Sequence, residues 1–221
     1  MSIAGNLSAI KEDLKSKKVT LVAVSKTFPV EAIQEAYKSG QRVFGENRVQ
    51  ELVSKYEVLP KDIEWHLIGH LQTNKVKFIA PFISLIHSID SLKLLEETNK
   101  EALKNNRVID CLLQIYIAKE ETKFGLDFEE TKALLNSRIY AALKNIRIVG
   151  LMGMATNTPD SAIVRNEFNN LRTFFDELKN SFFNNTPSFK EISIGMSGDY
   201  KMAVEEGSTM IRVGSSIFGL R

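Results

Sequence analysis

The sequence predicts an α/β protein built as a single (β/α)8 TIM barrel with an extra N-terminal helix. Eight short β-rich runs alternate with helix-patterned segments from one end of the chain to the other. Strands separated by helices pair in parallel through right-handed crossovers, and eight such units are what a closed barrel needs. The 221 residues contain no linker rich in Pro, Gly or Ser and no tandem repeat, so residues 1–221 read as one domain. An open doubly wound sheet is the competing topology. It would normally carry G-x-G-x-x-G after its first strand, where this chain has Ser25-Lys26-Thr27-Phe28-Pro29.

In chain order, a helix over about 3–17 precedes the first strand, 19–25 (VTLVAVS), and a helix over 29–39 follows. Strand 42–45 (RVFG) leads to helix 46–57, strand 64–68 (EWHLI) to helix 71–80, and strand 84–89 (SLIHSI) to helix 91–105. The apolar runs 108–117 (VIDCLLQIYI) and 146–154 (IRIVGLMGM) precede helices over 127–143 and 160–182. Strand 191–196 (EISIGM) precedes helix 199–206, and strand 210–214 (MIRVG) precedes a short terminal helix after Ser215.

Composition narrows the class. With 43% hydrophobic residues, including 13 Phe, the chain can bury a sizeable core. The charge balance, 29 − 27 = +2, is mixed along the chain, so no nucleic-acid-binding face is implied. The single cysteine, Cys111, sits in an apolar run and can form no intrachain disulfide, which fits a reducing compartment. The opening residues lack the apolar stretch of a secretion signal and no run reaches membrane-spanning length, so the expectation is a cytoplasmic protein without a membrane partner.

Barrels of this kind work at the carboxyl ends of their strands. Alternation puts Val22, Val24 and Lys26 on one face of the first strand. If that face is the interior, Lys26 points into the mouth, where an ammonium partly removed from water becomes a usable amine nucleophile, as a Schiff base requires. Taken alone, Lys26 is more simply a solvated strand-end lysine. The loops after strands seven and eight, Gly195-Met196-Ser197-Gly198-Asp199 and Gly214-Ser215-Ser216, combine small residues and hydroxyls ahead of short helices, a pattern suited to an anion and also to ordinary turns. Arg212 alternates onto the same face as Met210 and Gly214, so an inward guanidinium must find a partner, with Asp90 or Asp110 as structural alternatives. Together, lysine, anion cup and arginine suit pyridoxal 5'-phosphate (PLP), through its aldehyde, phosphate and ring nitrogen respectively.

Other candidates are weaker. His66 and His70 lack the helical presentation and the glutamate of H-E-x-x-H, so no metal site is expected. His87 is most simply a hydrogen-bonded barrel residue. Lys11, Lys15, Lys17 and Lys18 form a solvated face. Asn47 either caps the following helix or touches a ligand at the mouth.

Val22-Ala23-Val24-Ser25-Lys26-Thr27, Phe44-Gly45-Glu46-Asn47, the run from Trp65 to Lys75, Lys123-Phe124-Gly125-Leu126, Gly150-Leu151-Met152, Gly195-Met196-Ser197 and the run from Ile211 to Gly219 form a set of blocks. Together these blocks resemble the pyridoxal phosphate homeostasis protein family. They occur in order over nearly the full chain. The resemblance implies a fold similar to the barrel domain of alanine racemase, with PLP carried as an imine on Lys26. It further implies Ser197, Gly214 and Ser215 around the phosphate, Arg212 at the pyridine nitrogen and Asn47 beside the ring. Ser215 stands where many members have threonine, and Lys201 where many are acidic, which puts a surface contact in doubt. The chain ends at Arg221, sooner than many members, so the final helix is expected to be less well anchored.

Two functions follow. The resemblance implies a PLP-binding protein acting in intracellular PLP (vitamin B6) and amino-acid homeostasis, without efficient turnover; the expected recipients are PLP-dependent apoenzymes and the expected state is a monomer. The rival is a PLP-dependent amino-acid racemase, which normally opposes two bases across the α-carbon. Lys26 supplies one. Racemases of the resembling fold take a tyrosine from a further β-domain, for which only seven residues remain after Gly214, and none of Tyr37, Tyr56, Tyr116, Tyr140 and Tyr200 is an evident substitute.

Overall fold

A computed structural model describes residues 2–118 and 124–219; Lys123 of the Lys123–Leu126 block lies outside the described residues. Eight strands, β1 (Thr20–Val24), β2 (Val43–Glu46), β3 (Glu64–Leu67), β4 (Leu85–Ile89), β5 (Ile109–Ile115), β6 (Ile146–Gly153), β7 (Glu191–Ser193) and β8 (Met210–Val213), pair in sequence order and close into a barrel. Every pairing is parallel, and β8 returns to β1 with Thr20 opposite Met210 and Val22 opposite Arg212. The expected TIM barrel is therefore the fold.

Strand alternation sorts the side chains into two layers. Val22, Leu85, Leu112, Val149, Met152 and Met210 form one buried cluster inside the barrel. Leu21, Ala23, Phe44, Trp65, Cys111 and Ile211 belong to the much larger cluster between barrel and helices. The Cys111 thiol is fully buried there, and burial raises its pKa, so it is an inert core residue. Gly150 is required where β6 meets β7, because a Cβ there would come 1.8 Å from the Glu191 carbonyl oxygen.

The helices are α1 (Ile3–Leu14), α2 (Val30–Lys38), α3 (Val49–Val58), α4 (Val76–Ile79), α5 (Leu92–Lys104), α6 (Phe128–Asn136), α7 (Arg138–Ala142), α8 (Ser161–Ser181), α9 (Tyr200–Glu205) and α10 (Ser215–Phe218). Two differ from expectation. The segment 71–80 is a 3₁₀ turn over Thr73–Lys75 followed by the single turn α4, because Gln72 is extended. The segment 127–143 breaks at Ser137, whose extended backbone (ψ 142°) ends α6 and whose hydroxyl accepts the Tyr140 N–H at 3.1 Å to cap α7. Strand β7 is shorter than expected because Gly195, at φ +93°, turns the chain; a Cβ there would lie 2.6 Å from that of Ala203.

The N-terminal helix buries Leu7, Ile10 and Leu14, one stripe at helical spacing. It also holds the end of the chain. Asn6 donates to the Ile217 carbonyl at 2.9 Å, Ile217 is fully buried, and Phe218 stacks on Phe28 at 5.0 Å. These contacts with α1 and Phe28 anchor the final helix. Lys201 pairs with Asp13 of α1 at 2.9 Å, and the Tyr200 hydroxyl donates to the same carboxylate at 2.8 Å. Among the described residues no helix is long and apolar enough to cross a membrane.

The rest of the interior is polar. His66 and His87 are buried with their rings 5.1 Å apart. Burial pulls His66 down from 6.5 to about 3, and pulls His87 well below 6.5 with help from His66 and Arg212. Below pH 6.5 the unfolded chain then binds more protons than the folded one. Stability is therefore full above that pH and falls as pH drops toward 3. Denaturant unfolding should show a midpoint that declines between pH 7 and pH 5, and the double substitution His66→Gln, His87→Gln should flatten the decline; a wild-type midpoint constant over that range contradicts neutral buried histidines.

Candidate functional site

Beyond β1 the chain turns at once. Phe28 N–H donates to the Ser25 carbonyl at 3.1 Å, closing a turn with Lys26 and Thr27 at its centre. Thr27 has φ +66°, the left-handed region at the turn position where glycine is usual, and a β-branched residue stays there only when its surroundings hold it. Those surroundings are a buried ion cluster. Lys55 of α3, 5% exposed, donates to the Ser25 carbonyl at 2.8 Å, to Glu46 at 2.8 Å and to Glu51 at 2.7 Å. The Ser25 hydroxyl donates to Glu46 at 2.6 Å, and the Thr27 N–H donates to Glu51. Burial pushes the Glu46 carboxyl up, while Lys55 and the hydrogen bonds from Lys55 and Ser25 pull it down. Ser25 and Thr27 are thus gripped from the helix side, and Lys26 faces the barrel mouth.

A cavity of about 480 Å³ opens at that mouth, and Lys26, Asn47, Ser197, Arg212, Gly214 and Ser215 all line it, with Val24, Phe28, Ile68, Met154 and Met196 supplying apolar walls. Every site residue expected from the sequence therefore converges on one cavity.

The loops after β7 and β8 meet there. Gly214 N–H and Ser216 N–H both point at the Ser197 hydroxyl oxygen, at 3.2 and 3.4 Å. Two backbone donors converging on one oxygen are what an anionic oxygen needs. Gly214 is tight against β1, since a Cβ would lie 3.2 Å from the Val24 carbonyl, whereas a Cβ on Gly198 would meet nothing within 4 Å. The donor role of the Ser216 N–H was not singled out from sequence, because a backbone direction carries no residue signature.

Arg212 is 4% exposed, and no carboxylate of the described residues forms a salt bridge with it. It donates through Nη1 to the Ser193 carbonyl at 2.7 Å and hydroxyl at 2.6 Å, and through Nη2 to the Gly153 carbonyl at 2.9 Å. Burial lowers its pKa to about 10, against the opposing pull of Asp199, so it remains a cation at neutral pH. The carboxylates considered from sequence are engaged elsewhere: Asp110 with Arg147 at 2.6 Å, Asp90 with His70 at 3.1 Å.

Asn47 follows β2 and is not the helix cap, a position taken by Arg48. A Cβ on Gly69 would come 2.5 Å from the Asn47 carbonyl, so the glycine lets the β3 loop press Asn47 against the cavity edge. His66 lies inside the barrel bonded to His87, and His70 stacks on Phe124 at 4.3 Å, so the two histidines do not share a ligand position. No tyrosine lines the cavity among the described residues. The site fits PLP by its chemistry: an amine, a cup of N–H and hydroxyl donors, and a guanidinium that can only donate.

The alanine racemase N-terminal domain family model matches residues 1–221. The pyridoxal phosphate homeostasis protein of Aquifex aeolicus is 43% identical, covering 91% of this chain and 86% of its own, and that of Escherichia coli K12 is 37% identical, covering 99% and 97%. The structure of PipY from Synechococcus elongatus with PLP bound matches with a TM-score of 0.87 at 38% identity, covering 99% of this chain and 100% of that one. An alanine racemase from Bartonella henselae shares the fold at a TM-score of 0.72 and 18% identity, and this chain spans 58% of its length. Matched over nearly its whole length by relatives of that name, the chain belongs to the pyridoxal phosphate homeostasis protein family.

Proposed function

We propose that residues 1–221 act as one domain that binds PLP, holds it on Lys26 and delivers it, serving PLP and amino-acid homeostasis in the cytoplasm without efficient turnover of its own. The observation that carries this is the convergence of Lys26, the Ser197–Gly214–Ser215 cup and Arg212 on a single cavity. Family membership and the PLP bound in PipY support it. When bound, PLP supplies an aldehyde for reversible attachment to an amine and a phosphate for anchoring.

The chain's own residues divide the work. The cluster of Glu46, Lys55 and Glu51 fixes the turn that presents Lys26. Ser197 and Ser215, with the N–H groups of Gly214 and Ser216, would hold the phosphate, and Asn47 would border the ring. Arg212 would meet the pyridine nitrogen of PLP as a permanent donor and so would favour the unprotonated, weakly electron-withdrawing ring. Reversible attachment at an open mouth suits handing the cofactor to PLP-dependent apoenzymes, by a monomeric chain.

Borohydride reduction after incubation with PLP, followed by peptide mapping, should place the label on Lys26, and Lys26→Ala should abolish the visible absorption band. A label on another lysine refutes the assignment.

Pyridoxal lacking its phosphate should bind much more weakly than PLP. A hydrogen bond to a charged group contributes about 1.5 to 3 kcal/mol, so Ser197→Ala should weaken PLP affinity roughly 10- to 100-fold, with backbone donors retaining the remainder. Equal affinity for the two compounds contradicts the phosphate cup.

Exchange of the α-proton of L- and D-alanine in heavy water, followed by NMR, should be negligible. Exchange with inversion at about 1 to 1000 per second, dependent on Lys26, would establish a racemase instead.

A further inference from the structure

A continuous buried hydrogen-bond chain crosses the barrel interior below the cavity. Arg212 on β8 donates to the Ser193 hydroxyl on β7 at 2.6 Å, Ser193 Oγ lies 3.0 Å from His87 Nδ1 on β4, and His87 Nε2 lies 3.0 Å from His66 Nδ1 on β3. His66 in turn lines a second cavity, about 510 Å³, whose other lining residues include Thr20 and Glu64 at the starts of β1 and β3. The chain therefore joins the two mouths of the barrel.

We propose that Ser193, His87 and His66 are positioning residues for Arg212, their hydrogens locked in a single direction from the guanidinium toward the opposite mouth. The direction follows from counting donors. Arginine can only donate, so Ser193 Oγ accepts from it and keeps its own hydrogen for a second partner. Among the described residues His87 Nδ1 is that partner. Were His87 protonated at Nδ1, the Ser193 hydroxyl hydrogen would be buried with no acceptor, an arrangement native interiors avoid. His87 therefore carries its proton on Nε2 and donates to His66 Nδ1. The His66 proton then sits on Nε2, toward the lower cavity. Burial keeps both rings neutral, and at His87 the charge of Arg212 acts in the same direction.

The consequence is geometric. Nη1 is held by both oxygens of Ser193 and Nη2 by the Gly153 carbonyl, which leaves Arg212 the Nε–H and one Nη2–H. The guanidinium cannot rotate without breaking bonds to two strands. Its value for the pyridine nitrogen rests on the PLP reading above; the locked chain does not.

The test is NMR of the full-length, ¹⁵N-labelled protein without PLP at neutral pH. Long-range ¹H–¹⁵N spectra should show His66 and His87 each as a pure Nε2–H tautomer, and Arg212 Nη signals resolved by hindered rotation. Ser193→Ala should merge those Nη signals and move His87 Nδ1 to the shift of an unbonded nitrogen. An Nδ1–H tautomer at His87, a tautomer average, or Arg212 signals unchanged by Ser193→Ala overturns the proposal. With PLP added, Ser193→Ala should lower affinity by about five- to tenfold and shift the visible band. A wild-type protein that takes up no PLP defeats the PLP reading, while the apoprotein spectra still decide the chain.

Discussion

Closure of the sheet is the constraint on which the site depends. The pairing of β8 with β1, which sets Val22 opposite Arg212, brings together residues nearly two hundred positions apart in the chain. One step beyond that pairing, the Gly214 loop lies against Val24 and Lys26 turns into the same cavity. Parallel strands admit this only because each is returned by a helix, and because a right-twisted parallel sheet of eight strands can meet itself. An open sheet of the same eight strands would leave Lys26 and Arg212 on separate edges.

Given closure, the barrel must accommodate charge where water is excluded, and it does so in two ways. On the helix side, Lys55 is matched by two carboxylates and a carbonyl, so the ammonium finds partners for its protons and Thr27 is held in a backbone conformation it would not choose. Removing one partner of such a buried set typically costs about 3 to 5 kcal/mol, because the remaining charge is left uncompensated. In the interior, Arg212 is met by neutral oxygens instead, two carbonyls and a hydroxyl, with neutral histidines behind them. A carboxylate there would neutralise the guanidinium; neutral acceptors leave its charge directed at the cavity. The first cluster is built to hold a turn, the second to hold a charge.

Much of the site was legible because its chemistry is carried by residue type at strand ends. Lys26, Arg212 and the two glycine–serine loops stand out once the strands are counted, since alternation assigns them to one face. What escaped is what depends on direction or on a distant partner. Nothing in the sequence singles out Glu51 and Lys55, and only the burial of Glu46 beneath α3 makes them a clamp on Ser25 and Thr27. His87 was recognisable as a bonded barrel residue, but its partners His66 and Ser193 lie 21 and 106 positions away. The breaks at Gln72 and Ser137 were missed for a local reason: extended backbone at a polar residue competes with helix continuation, and periodicity alone does not report the winner.

The alternation of eight strands and helices, the face on which each strand-end residue falls, and family membership through blocks spread over nearly the whole chain all follow from residue order. These are properties of spacing, and spacing is written in the chain. The tertiary structure decided which oxygens hold Arg212, which backbone N–H groups converge on Ser197, and where Asn47 stands relative to the cavity. Those depend on barrel register and on the direction of main-chain groups, both settled only when β8 meets β1 and the interior hydrogen bonds are shared out among five strands.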